Sequence, residues 1–183
     1  MTTKTTKKRA LTPAQRRATA YHEAGHAVIG EALGVHMKTT SIVPGEGFDG
    51  QVRFRRVLRA SDLDGSGNGD RTRLRIERQI MVSYAGEAAQ RRHRPRSVRP
   101  HHYQSDYQII ADLLRSLWAP GPSADAFAKW LALRTAEMVA LHWPQIKRVA
   151  AALMERGSLS GEEVREAMWG PQRAVDSEGV KAA

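Results

Sequence analysis

The chain has 183 residues, no cysteine and a formal net charge of +10, from 29 lysines and arginines against 19 acidic residues. Without cysteine there is no disulfide framework, thiolate zinc site, iron–sulfur cluster or cysteine nucleophile. No apolar run reaches the roughly 18 residues of a membrane span, and no apolar segment follows the basic N-terminus as a secretory signal requires. We therefore expect a soluble cytoplasmic protein without a membrane partner.

The N-terminal part of the chain combines a basic arm with a long helix. Residues 1–11 are basic, carry no acidic residue and have the composition of a disordered arm. A helix is predicted over 13–33, because Thr12 and Gln15 match a capping box, small and apolar residues follow helical spacing, and Gly34 supplies a stop. This helix opens a single domain over 12–170, and residues 171–183 are expected to form a flexible tail.

A small β element follows the first helix. A strand is predicted over 39–44, where β-branched residues end at Pro44, and a second over 51–58, where apolar residues alternate from Val52 onward. A glycine-containing turn joins the two strands. A second glycine-rich segment, over 62–70, is expected to be a flexible loop.

The rest of the domain is predicted to be helical, which makes the fold mainly α with a small β-sheet, an α+β fold. The arginine-rich segment 91–100 is expected to be an exposed loop. Capping-box patterns at Ser105 and Ser160 each predict a helix start. The predicted helices cover about 71–90 with Leu74, Met81, Tyr84, Ala85 and Ala88 buried, 105 to Pro120 with Ile109, Ile110, Leu113, Leu114 and Leu117 buried, 124–142, 144–156 and 160–168.

The segment His22-Glu23-Ala24-Gly25-His26 lies within the first predicted helix. Residues four apart share one face of a helix, so both imidazoles can bind one metal ion. Glu23 is rotated by about 100° from His22, where its carboxylate can reach a water on the metal rather than the metal itself. Zinc at this place would polarise that water and a substrate carbonyl, while the carboxylate moves the proton to the leaving amine. The alternative is a surface helix with two solvated histidines.

A catalytic zinc keeps three protein ligands, so a third ligand must come from elsewhere in the chain. The extended metzincin pattern, with a glycine and a third histidine soon after the second, is absent. Glu87 would suit a thermolysin-like site with a glutamate on a second helix. Asp106, at a predicted helix start, and His101 or His102 just before it are the other candidates. The residues alone leave these alternatives open.

Four segments carry a wider resemblance. They are the zinc helix over 20–28, the strand and turn over 40–45, the Ala-Gly-Glu-Ala-Ala segment within 84–89, and the helices over 141–163. In these segments the chain resembles the peptidase domain of the FtsH-type ATP-dependent zinc proteases. Glu87 and Gln90 depart from the family pattern. Ser105-Asp106 stands where the family has an Asn-Asp pair, whose aspartate is the third zinc ligand.

The resemblance implies one zinc ion per chain, held by His22, His26 and Asp106, with Glu23 as the catalytic base. It also implies a polypeptide substrate. The ATPase module and membrane helices of the family have no counterpart in this sequence, which contains no phosphate-binding loop pattern. We therefore expect hydrolysis of flexible or unfolded polypeptides, with a separate ATPase or a homo-oligomer as the partners to test.

The predicted strand over 39–43 is a candidate edge strand beside the zinc helix. An extended substrate could add to it through main-chain hydrogen bonds along Ser41, Ile42 and Val43. Packing of Ile42 and Val43 in the core is the alternative, and both can hold.

Arginines cluster over 53–59, 71–78 and 91–99. Such clusters indicate binding to nucleic acid or an acidic protein through counterion release, or a solvated face that keeps the protein in solution. The sequence shows no nucleic-acid-binding module, and aromatic residues are scarce among these arginines. The sequence thus favours a zinc endopeptidase over a catalytically inactive binding or regulatory relative and over a basic nucleic-acid-associated protein.

Overall fold

The computed structural model describes residues 11–45, 49–55, 58, 69–98 and 103–170. Within these ranges it contains six α-helices and a three-stranded sheet, which confirms a mainly α protein with a small β element. Among the described residues, no helix combines the length and apolarity that crossing a membrane requires. The predicted arm, apart from Leu11, and the predicted tail lie outside them. The elements are α1 Pro13–Ala32, β1 Met37–Ser41, β2 Gln51–Phe54, α2 Asp70–His93, α3 Gln104–Leu117, α4 Pro122–Leu141, α5 Trp143–Arg156, β3 Ser158–Ser160 and α6 Gly161–Trp169.

Helix α1 begins and ends as the sequence predicts. The Thr12 hydroxyl accepts a hydrogen bond from the backbone of Gln15, and the Gln15 side chain accepts one from the backbone of Thr12. After the C-cap Leu33, Gly34 has a φ of +72°, a left-handed conformation that glycine adopts without steric cost. The helix is buried continuously over 22–30, so it is a central helix of the fold.

Helices α1 and α2 approach each other through small residues. A Cβ atom on Gly25 would lie 2.5 Å from the carbonyl oxygen of Ala85 and 2.6 Å from the Cβ of Ala89. Only glycine permits this approach. Helix α2 continues to His93, so the first three residues of the predicted 91–100 loop are helical, and Pro95–Ser97 form one further 3₁₀ turn.

The sheet has the order β2-β1-β3, and both pairings are antiparallel. Strand β1 is therefore central, and its prediction as an edge strand is wrong. It begins at Met37 and ends at Ser41. Beyond Ser41, the Val43 amide donates to the Ser41 hydroxyl at 3.1 Å instead of to a neighbouring strand. Strand β2 ends at Phe54 rather than at residue 58. Strand β3 was not predicted, because its three residues are too few to form a recognisable alternating pattern.

The apolar interior has two parts. What we call the first core lies between α1, the sheet, α5 and α6, and the second core lies between α2, α3 and α4. Ala85 and Ala89 of α2 also reach the first core, so α2 connects the two. Prominent members of the first core are Val28, Ile29, Met37, Ile42, Ile146, Leu153 and Leu159, and the second core comprises Ile76, Ile80, Met81, Ile110, Leu113 and Leu131.

Two residues expected in the interior are exposed. Leu74 is 46% exposed and Ile109 is 43% exposed, while Ile76 and Ile110 are buried. Helix α2 carries apolar residues on more than one face, so its sequence alone does not fix which of them face the interior. The apolar residues of α3 form one broad face, and Ile109 lies at the exposed edge of that face.

The three predicted capping boxes have different outcomes. The box of Ser160 and Glu163 forms at the start of α6, as that of Thr12 does in α1. The box predicted at Ser105 does not form, because α3 already begins at Gln104 and Ser105 lies inside its first turn. Tyr103 is its N-cap residue and makes no side-chain capping hydrogen bond.

Candidate metal centre

Two histidines of α1 meet an aspartate of α3 in the interior. The Nε2 atoms of His22 and His26 lie 3.1 Å apart. Oδ2 of Asp106 lies 3.3 Å from the first and 3.4 Å from the second. Within the described part of the chain, these residues form the only group of three or more histidine or acidic side chains arranged to hold a metal ion.

The spacing and chemistry of these donor atoms fit zinc. Ligand atoms about 2.0–2.1 Å from a tetrahedral ion stand about 3.3 Å from one another. The three separations of 3.1, 3.3 and 3.4 Å match this spacing. Two imidazole nitrogens and one carboxylate oxygen also form a typical ligand set for catalytic zinc.

The two imidazoles are held differently. Nδ1 of His26 lies 2.7 Å from the backbone carbonyl oxygen of Val82 on α2, to which it donates. In the neutral ring, the form that binds a metal ion, this bond leaves the Nε2 lone pair of His26 directed at the site, as in many metal-binding histidines. Nδ1 of His22 is buried and has no hydrogen-bond partner among the described residues.

Gly86 on α2 provides the space that the imidazoles occupy. A Cβ atom at this position would overlap Nε2 of His26 and lie 2.8 Å from Cε1 of His22. Any side chain here would push the rings away from Asp106. The sequence analysis did not single out Gly86 as a site residue, although a glycine inside a predicted helix often indicates close packing.

Glu23 lies beside the histidines and is only 6% exposed. Its carboxylate lies against Gly50, the residue before β2, where a Cβ atom would be 2.5 Å from Oε1 of Glu23. Burial raises the pKa of Glu23, and the charge of Asp106 adds to this, while His22 and His26 act in the opposite direction. A carboxyl group with a raised pKa is a stronger base than one in water.

Asp106 and His26 stabilise each other's charged forms. Burial alone would raise the pKa of Asp106, but the charges and hydrogen bonds of His26 and His22 hold it well below its usual range. Burial alone would lower the pKa of His26, but the Asp106 carboxylate, Glu23 and the Val82 carbonyl together raise it to about 9. Asp106 is therefore an ionised carboxylate, the form that binds a metal ion.

Glu87, the thermolysin-like alternative, is directed away from the histidines. Its Oε2 accepts a hydrogen bond from the Tyr107 hydroxyl at 2.8 Å, and its Oε1 accepts one from Arg91. Both carboxylate oxygens are thus engaged. The other two alternatives, His101 and His102, lie outside the described residues. The structure brings Asp106, not Glu87, to the two histidines.

The predicted substrate strand is not available for pairing. Ser41 pairs with Gln51 on one side and with Ser158 on the other. The Ile42 amide donates to the Gly157 carbonyl at 2.8 Å, and the Ile42 side chain is buried in the first core, which supports the core-packing alternative for this residue. Val43 is exposed. The outer strand on the side of Glu23 is β2, which Gly50 precedes.

No protein-family model matches this sequence, and no curated protein matches it. The resemblance to FtsH-type peptidase domains therefore stays a prediction.

Proposed function

We propose that this chain is a zinc-dependent metalloendopeptidase, similar to the FtsH-type peptidase domains, that hydrolyses flexible or unfolded polypeptides. The observation that carries the proposal is the convergence of His22, His26 and Asp106 beside the buried carboxylate of Glu23. One helix supplies two imidazoles and a base, and a second helix supplies the carboxylate.

The residues divide the chemistry among them. Zinc bound by His22, His26 and Asp106 would supply a Lewis acid for water and for the scissile carbonyl. Glu23 takes the proton from the attacking water and gives it to the leaving amine. Its burial supports this role, because a desolvated carboxylate binds a proton more readily than one in water.

Among the described strands, the outer edge of β2 suits an extended polypeptide. Within the described sheet β2 is an outer strand, and the residue before it, Gly50, contacts Glu23. A substrate segment paired along Gln51–Phe54 would have its backbone close to the proposed base. Only a segment without its own secondary structure can pair in this way, which favours flexible or unfolded substrates. Presentation of folded proteins would require a separate ATPase or assembly into a homo-oligomer. We place this activity in the cytoplasm, a reducing compartment with which a chain without cysteine is compatible.

The arginine clusters support nucleic-acid binding less well. Arg73 packs over the ring of Trp118 and pairs with Glu77, and Arg92 packs over Trp143. These cations make contacts that stabilise the fold, so their presence does not by itself require an anionic partner.

The test is hydrolysis of unfolded casein by the full chain with added zinc, beside Glu23→Gln and Glu137→Gln. Glu137 is an exposed carboxylate on α4 that serves as a matched control. We expect the parent and Glu137→Gln to cleave, a chelator to stop cleavage, and Glu23→Gln to bind zinc without cleaving. Zinc binding without cleavage by the parent would support the inactive relative instead. Equal cleavage by Glu23→Gln would contradict the proposed base.

A further inference from the structure

The first turn of α3 carries Asp106 but lacks the usual support of a helix start. Its N-cap residue, Tyr103, makes no side-chain capping hydrogen bond. The first buried apolar residue of α3 is Ile110, four residues after Asp106. An uncapped first turn with no buried apolar side chain is prone to fray. The position of Asp106 must therefore depend on other contacts.

Tyr107, the residue after Asp106, makes such a contact. Its hydroxyl donates to Oε2 of Glu87 on α2 at 2.8 Å. Glu87 is only 9% exposed, and Arg91, one turn along α2, donates to its other oxygen. Glu87 is thus fixed on both sides, and the bond from Tyr107 ends on a side chain with a defined position on α2. The ring of Tyr107 also meets the ring of Tyr84 on α2 edge to face, with the ring centroids 6.0 Å apart. Tyr107 is 44% exposed, so this contact buries little of it, and the hydroxyl adds a directional bond to α2 that Tyr107→Phe removes without removing the ring contact.

Two pairs of adjacent residues set the register between α2 and α3. On α2, Gly86 lies against the imidazoles and the next residue, Glu87, binds Tyr107. On α3, Asp106 meets the imidazoles and the next residue is Tyr107. A rotation or shift of the first turn of α3 would break the bond to Glu87 and would also move the carboxylate away from the histidines.

We propose that Tyr107 and Glu87 are positioning residues that hold Asp106 in place as a metal ligand. This inference rests on the proposed metal centre but does not require peptidase activity. The two residues act through Asp106. Outer partners that orient metal ligands typically contribute 10–100-fold to metal affinity, and we expect a loss of about 10-fold from removing the phenolic hydroxyl.

The experiment measures the zinc affinity of the full chain by competition with a chromophoric chelator. Tyr107→Phe keeps the ring and removes the donor, so it should bind zinc about 10-fold more weakly than the parent. Glu87→Gln keeps an acceptor for the hydroxyl and should lose less affinity than Glu87→Leu. Tyr103→Phe, whose ring lies 5.4 Å from that of Tyr107, is the matched control and should bind as the parent does. Circular dichroism of the metal-free variants checks that each one is folded.

A second measurement separates positioning from a general structural role. In an Asp106→Ala background, Tyr107→Phe should cause no further loss of zinc affinity, because the residue on which it acts is gone. An undiminished loss in that background, or parental affinity of Tyr107→Phe alone, would overturn the inference. Zinc bound by the parent without casein cleavage would overturn only the proposed activity. No zinc binding by the parent would overturn both.

Discussion

The two sides of the proposed metal centre, the two histidines and Asp106, are held in different ways. Helix α1 holds His22 and His26 in the segment 22–30, which is buried without interruption, and the helix period alone places both rings on one face. Helix α3 holds Asp106 in an uncapped first turn, close to the exposed Ile109. The comparison teaches that the helix itself fixes the relative positions of two proposed ligands on one helix. The position of the third proposed ligand depends on how two helices pack together.

Zinc binding should be easiest to disrupt at Asp106, the proposed ligand whose position depends on helix packing, without unfolding the protein. Asp106→Ala should weaken zinc binding by more than the roughly 100-fold that loss of an outer partner can cause, because it removes a ligand itself. The metal-free variant should still fold, with a lower free energy of unfolding near neutral pH than the parent, because His26 loses the carboxylate that stabilises its charged form. Zinc competition and thermal unfolding measure the two effects. The control is Asp112→Ala, which removes an exposed aspartate of the same helix. Full zinc occupancy in Asp106→Ala would contradict the assignment and would return Glu87 and His102 as candidate ligands.

The contact between α1 and α2 supports both the histidines and Asp106, the two sides of the proposed metal centre. Its disruption should therefore affect the whole fold. Gly25→Ala places a Cβ against the backbone of Ala85, which cannot move as the end of a side chain can. We expect the free energy of unfolding to fall by about 2–3 kcal/mol, as for other overpacked interiors. Urea unfolding measures this.

Gly69→Ser is the comparison variant for that measurement. Gly69 is the N-cap of α2, and no atom of the described residues lies within 4 Å of the position of a Cβ atom on it. Serine is slightly preferred over glycine at an N-cap, so the change should be less than about 0.5 kcal/mol and stabilising. Equal effects at the two glycines would contradict the close approach of α1 and α2.

Substitutions at helix caps should change the free energy of unfolding least among these variants. They also test whether the first turn of α3, which carries Asp106, lacks a side-chain cap. Ser160→Ala should cost about 1 kcal/mol, because its hydroxyl accepts a hydrogen bond from the backbone of Glu163. Ser105→Ala should change the free energy of unfolding by less than about 0.5 kcal/mol, because α3 has no side-chain cap. If both variants lose about 1 kcal/mol, α3 is capped as the sequence pattern predicts.

The features that could be predicted from the sequence are local ones. The start of α1 depends on Thr12 and Gln15, which are three residues apart. The face proposed to bind the metal depends on His22 and His26, which are four residues apart. Such short separations fix the geometry of a helix without knowledge of the fold.

The features that could not be predicted depend on distant parts of the chain. Strand β1 was predicted as an edge strand beside the first helix, but β3, more than a hundred residues away, pairs with it and makes it central. The choice between Asp106 and Glu87 needed the relative positions of α2 and α3, and no local pattern contains these. A family resemblance pointed to Asp106, and the structure brings this residue to the histidines.

The most direct test of the account is the position of zinc in crystals of the zinc-loaded protein, located by anomalous scattering at the zinc edge. We predict one strong peak per chain, within bonding distance of Nε2 of His22, Nε2 of His26 and a carboxylate oxygen of Asp106. A peak that these histidines share with Glu87 instead, or the absence of a peak at the histidines, would contradict the account.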